Sequence, residues 1–210
     1  MPYKIKNSFK RHFQTNFILY FILMIFFVLG IILGSILIKE LNIEQKSGII
    51  KFLNSFFKSM GEKKLNNIGI LKNSLLDNLK TVFMLWITGF IILGIPIIPI
   101  VVAIRGIAIG FTVGFLVNEF GVKGFLFSIL GILPQNLLFI PSILVIAAIG
   151  MSYSLGSVKN KRIKYTKNGF HGNIRNYSIL ILILCVVMLG GCLIEAFISP
   201  IFLNMVVSYF

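Results

Sequence analysis

The chain has 210 residues, 57% apolar and 12% charged, and its 20 Lys and Arg outweigh 6 Asp and Glu for a formal charge of +14. Its mean hydropathy of +0.96 excludes a water-soluble fold of this size, which needs a polar surface, and it excludes disorder as well. Apolar residues, 21 Phe among them, come in long blocks rather than as one face of each element, so the expectation is an all-α, polytopic integral membrane protein.

In chain order, residues 1–16 form a basic tail with Lys4, Lys6, Lys10, Arg11 and His12. Residues 17–38 are apolar throughout. They outlast the roughly 7–15 residues of a signal-peptide core and no A-x-A site follows, which predicts a retained spanning helix. Residues 39–80 are polar by comparison, with apolar residues at helical spacing. Ile49, Ile50, Leu53, Phe56, Phe57 and Met60 make one stripe; Leu65, Ile68, Leu71, Leu75 and Leu79 make another. This predicts an extracytoplasmic pair of amphipathic helices, lying on the membrane, on a partner, or as a cap on the chain's own bundle.

A second span is predicted over 81–104, kinked by the prolines of Gly94-Ile95-Pro96-Ile97-Ile98-Pro99 and closed by Arg105. Residues 105–120 form a third, short or re-entrant; 125–149 form a fourth, carrying Pro134 and Pro141. A basic loop over 150–177 and a fifth span over 178–199 follow, then a tail of 200–210. Cys185 and Cys192, seven apart in the fifth block, read as packing residues, out of bonding reach of each other. About five spans put the basic tail, Arg105 and the basic loop on one side, which predicts the N-terminus inside and the C-terminus outside.

Chemistry is sparse. The two histidines, His12 and His171, lie in basic flanking segments. There is no H-E-x-x-H, no G-x-S-x-G, no Walker A lysine and no Cys/His cluster, so no catalytic, cofactor-binding or metal residue is expected. The positive charge flanks apolar blocks, where anionic headgroups meet it, and makes no aromatic-interleaved basic face; nucleic acid is not an expected partner. Among the acids, Glu119 and Glu195 are the candidates for membrane depth, both expected at headgroup level. Gly106, Gly110 and Gly114 share a helix face, and Gly30 and Gly34 repeat the spacing. Such a face suits close helix packing, either within the bundle or with a partner's helix. Gln135 and Asn136, between Pro134 and Pro141, need partners at bilayer depth. Their amides would bond carbonyls freed by the prolines, or would line a substrate path in a broken helix.

The sequence resembles the stage II sporulation protein M family. The resemblance lies in Leu93-Gly94-Ile95-Pro96, Arg105-Gly106-Ile107-Ala108-Ile109-Gly110-Phe111 and Leu133-Pro134-Gln135-Asn136-Leu137 with Pro141, in that order and spacing. A wider relative group has a Pro-His-Gly…Glu…Pro pattern where this chain has Pro134-Gln135-Asn136…Phe139…Pro141, so no ionisable role is carried over to these positions. The resemblance implies a non-catalytic scaffold of the engulfment machinery, in the mother-cell membrane at the sporulation septum. Its implied partners are two cell-wall hydrolases, stage II sporulation proteins P and D. The glycine face of Gly106, Gly110 and Gly114 is then the expected helix-docking surface, with residues 39–80 making contact outside the membrane and a second copy of the chain as a further candidate partner. The competing expectation is a small transport or channel subunit built on the proline-broken helices.

Overall fold

The computed structural model describes residues 16–61, 66–160 and 167–208. They form helices α1 (Phe17–Leu37), α2 (Ile43–Gly61), α3 (Asn67–Phe90), α4 (Gly94–Gly131), α5 (Leu133–Asn160), α6 (Lys167–Leu193) and α7 (Ser199–Ser208). A 3-10 turn at Ile38–Glu40 follows α1, and a π-helical turn at Ile194–Ile198 joins α6 to α7. Among the described residues there is no strand. The all-α, polytopic architecture is as expected. Four stretches are long and apolar enough to cross a membrane: Phe17–Glu40, Gly94–Gly131, Leu133–Gly156 and Ser178–Leu203. The basic segments at 1–15 and 161–166 lie outside the described residues.

The boundary expected at Arg105 is corrected. The chain turns earlier, at Ile91–Leu93, where Ile91 is extended (φ −103°, ψ 141°), and α4 then runs unbroken past Arg105. Gly94 is required at this turn, because a Cβ there would lie 2.0 Å from the Thr88 carbonyl oxygen. Pro96 falls in the first turn of α4, where backbone N–H groups have no helical partner, so it does not break the helix. Residues 106–120 therefore continue the helix that starts at Gly94. That stretch ends at Gly121, whose φ of 58° and ψ of −133° interrupt α4. The expected fourth span divides too: residues 122–131 complete α4, and α5 opens at Leu133 with Pro134 again in a first turn.

Side-chain contacts fix the helix directions. Gly106 faces Phe27 and Ile31, Gly110 faces Ile31, and Gly114 faces Ser35 and Ile38, so α1 and α4 run parallel. At one end of the bundle Ser152 donates to Asn16 Oδ1 (3.2 Å), Ser154 donates to the Ile91 carbonyl (2.8 Å) and Trp86 Nε1 donates to Ser178 (3.3 Å). That end gathers the start of α1, the α3–α4 turn, the far part of α5 and the start of the apolar part of α6. At the other end Lys46 meets Glu119 at 3.9 Å, and half-buried Leu53 of α2 packs on Leu116, Phe127 and Leu203. Helices α1, α4 and α6 thus run one way, α3 and α5 the other. Of the uses expected for residues 39–80, α2 takes that of a cap on the chain's own bundle.

The bundle's main core joins Leu23, Leu85, Ile98, Val102, Ile146, Ile181 and Cys192. Cys192 is buried and Cys185 half-buried, both as free thiols.

Candidate functional site

The glycine face expected to dock a partner's helix is filled from within the chain. An ideal Cβ at Gly106 would lie 2.3 Å from the Phe27 carbonyl oxygen, and one at Gly110 would lie 2.1 Å from that of Ile31. From the other side, Gly30 and Gly34 bring α1 equally close to the carbonyls of Ala103 and Ile107. Two backbones in reciprocal contact leave no room for a third helix on this face. This is the internal packing that small-xxx-small spacing also allows.

The polar residues lie elsewhere, around one cavity. It measures about 270 Å³ and takes its lining from α1, α3, α4, α5 and the π-helical turn. Helix α3 supplies Ser74 and Asn78, both buried. Its exposed residues mix Ile68, Leu76, Leu79 and Phe83 with Lys72, Asp77 and Lys80, while Val82 and Leu85 are buried on the same side as Ser74 and Asn78.

Arg105 reaches α3 from α4, eleven residues beyond Gly94, or roughly 16 Å of helix. Its Nη2 donates to Thr81 Oγ1 (2.6 Å), Asn78 Oδ1 (3.3 Å) and the Asp77 carbonyl (3.3 Å). Asn78 Nδ2 in turn donates to the Ser74 carbonyl at 2.9 Å and contacts Cys192 Sγ at 3.8 Å. Ser74 Oγ donates to Glu195 Oε2. One chain of hydrogen bonds therefore links the guanidinium on α4 to the carboxylate after α6.

Glu195 also corrects an expectation. It lines the cavity within the bundle, opposite in character to a headgroup-level acid. Pro200, the second residue of α7, is the physical cause. It has no N–H to give to the helix, and the turn ahead of it widens so that the Ser199 N–H bonds the Ile194 carbonyl. Glu195 sits on that widened turn. Glu119, by contrast, lies at the capped end beside Lys46.

The two amides singled out from the sequence are here as well. Gln135 is buried: its Nε2 donates to the Gly131 carbonyl (2.6 Å) and its Oε1 accepts from Ser199 (2.8 Å). Asn136 Nδ2 donates to the Ile132 carbonyl at 2.7 Å. Both amides thus bond carbonyls at the α4–α5 junction, and both line the cavity. Gly94 and Pro96 shape the α3–α4 turn outside it; Pro134 starts α5, and Pro141 lies inside that helix. Sequence reasoning missed Ser74, Asp77, Asn78 and Thr81, of which the first three were assigned outside the membrane and Thr81 to the first position of the second span. Their signal was present as Ser74, Asn78 and Thr81 at helical i, i+4, i+7 spacing. Among the described residues, no three His, Cys, Asp or Glu gather as metal ligands would.

The family model of Stage II sporulation protein M matches residues 23–200, from α1 to the start of α7. The chain belongs to this family. Membership connects it with sporulation, as a membrane protein. The matched region contains every residue of the cavity network and all the glycines of the α1–α4 crossing. No curated protein and no solved structure matches the chain.

Proposed function

We propose that the chain is a non-catalytic membrane scaffold of the sporulation engulfment machinery, holding the septal cell-wall hydrolases, stage II sporulation proteins P and D, during endospore formation. The observation that carries this is the family match across residues 23–200. The bundle supports it physically. The start of α1 and the far part of α5, beside which the sequence carries its basic segments, lie at one end, and the excess of Lys and Arg there makes it the cytoplasmic one. The opposite end, with α2 packed across it, then faces the wall. In this orientation α3 is a fifth crossing, with Ser74 and Asn78 turned inward, and the C-terminus lies outside. The location proposed is the mother-cell side of the sporulation septum.

Deletion of the chain in a spore former should leave polar septa that form but are not engulfed, with fluorescent fusions of both hydrolases spread around the membrane. Normal engulfment, with both hydrolases still at the septum, would refute the scaffold.

One observation favours a second function, a small transport or channel subunit: Gln135 and Asn136 sit together on a polar cavity inside the bundle. Solute flux in proteoliposomes that is lost in Gln135→Leu and Asn136→Leu would support it; flux equal to that of empty liposomes would remove it.

A further inference from the structure

Three groups on the cavity retain bonding capacity that the hydrogen bonds described above leave unused. Arg105 makes its three contacts through Nη2 alone, which leaves the donors on Nη1 and Nε. Glu195 accepts from Ser74 on Oε2, which leaves Oε1. Asn136 donates through Nδ2, which leaves Oδ1 as an acceptor. All three line the same cavity, and among the described residues no direct ion pair joins Arg105 to Glu195.

A third charged residue of the lining, Asp77, is largely exposed and paired with Lys80 at 3.5 Å, so the charges turned into the cavity are one cation and one anion that do not neutralise each other directly, which makes it a bipolar receptor. Its other walls include Phe27, Val102 and Phe139, so charges inside interact more strongly than in water. A simple anion placed against Arg105 would meet the field of Glu195, and a simple cation against Glu195 would meet that of Arg105. A molecule with both charges satisfies both groups and is disfavoured by neither.

We propose that this cavity binds a small zwitterion. Its carboxylate or phosphate takes the free edge of the Arg105 guanidinium, whose planar fork suits either group. Its ammonium donates to Glu195 Oε1 and Asn136 Oδ1. The volume of about 270 Å³ lies just below the usual range for small-molecule sites, which suits a ligand the size of an amino acid or a headgroup. Two sources present this chemistry: a free amino acid-like solute, or the phosphoethanolamine headgroup of a lipid drawn into the bundle. The inference rests on the cavity and is independent of the scaffold role.

The test uses the full chain in phosphatidylglycerol nanodiscs, with the thermal midpoint as readout. Free β-alanine and O-phosphoethanolamine are compared with propionate, inorganic phosphate and ethylamine, each carrying one kind of charge. A parallel set of discs contains phosphatidylethanolamine. A rise in midpoint with the free zwitterions identifies a soluble ligand. A rise confined to the phosphatidylethanolamine discs identifies the lipid headgroup. Either result, with the single-charge compounds ineffective, supports the proposal. Glu195→Gln and Arg105→Lys should each raise the half-saturating concentration by about tenfold or more, as expected when one charged contact is weakened. The proposal is overturned if single-charge compounds protect as well as zwitterions, if no zwitterion, free or lipid-borne, shifts the midpoint, or if the shift is unchanged in Glu195→Gln. The comparison among ligands needs only the unaltered chain, so a variant that fails to fold does not protect the proposal.

Discussion

Replacing Gly110 with Ala adds one methyl group at the crossing of α1 and α4. That carbon would lie 2.1 Å from the Ile31 carbonyl oxygen and 2.8 Å from the Ile31 carbonyl carbon and Cα. All three are backbone atoms of a helix, so no side chain can rotate away; the helices must part by about 1 Å to restore ordinary contact. Overpacking of this kind costs about 1–3 kcal/mol. Because the helices move as rigid units, the contacts at Gly30, Gly34 and Gly106 loosen together, and a gap of that size forfeits about a quarter to a half of each dispersion contact. Alanine's better helix propensity returns roughly 0.5–1 kcal/mol. The net expectation is a loss of about 1–2 kcal/mol, or roughly 2–8 °C in thermal midpoint for a chain of this length. Gly48 is the internal control: a Cβ there has nothing within 4 Å, so Gly48→Ala should melt at or slightly above the unaltered chain. Both variants would be melted in detergent and followed by circular dichroism. If Gly110→Ala melts as high as Gly48→Ala, the close crossing does not exist as described.

Three further outcomes follow from other parts of the bundle. Gly121→Ala should destabilise by about 1–3 kcal/mol in the same melt, because φ of 58° with ψ of −133° is open to glycine, and space around the site is free, so the loss is one of backbone conformation alone. An unchanged midpoint would show that the interruption of α4 is absent. Ser199→Ala should lower stability by about 1–3 kcal/mol by leaving buried Gln135 Oε1 without its donor, and a double change with Gln135→Leu should recover part of that loss; additive losses would place the two side chains apart. A cysteine in place of exposed Ser55 should react with a membrane-impermeant maleimide in intact cells, whereas labelling only after permeabilisation would reverse the proposed orientation.

The architecture was legible in hydropathy because apolar blocks long enough to span are rare in any other context. The α3–α4 turn was not, because Ile91, Ile92 and Leu93 are as apolar as the helices they separate. Gly94 and Pro96 did mark the place, but a proline pair within an apolar run reads equally as a kink in one helix or the start of the next. The choice depends on how close Thr88 comes to Gly94, which is a matter of packing. The same limit hid half of the site. Arg105, Gln135 and Asn136 stood out one by one, as charged or amide residues in apolar surroundings. Ser74 and Asn78 did not, because residues 39–80 read as an amphipathic stretch outside the membrane, where Ser and Asn are ordinary surface residues. Glu195 depended on a widened helical turn ahead of Pro200, which residue spacing at the regular helical period places on a different face. The glycine repeat was found correctly and its neighbour was not: two repeats with matching spacing, one in α1 and one in α4, were each other's partners.

The proposed scaffold role is tested most directly by a crosslinked pull-down of the tagged chain from membranes of cells undergoing polar septation. The scaffold account predicts specific recovery of the stage II amidase, protein P, or the transglycosylase, protein D. Recovery of neither, with both expressed and the bait correctly inserted, would contradict it.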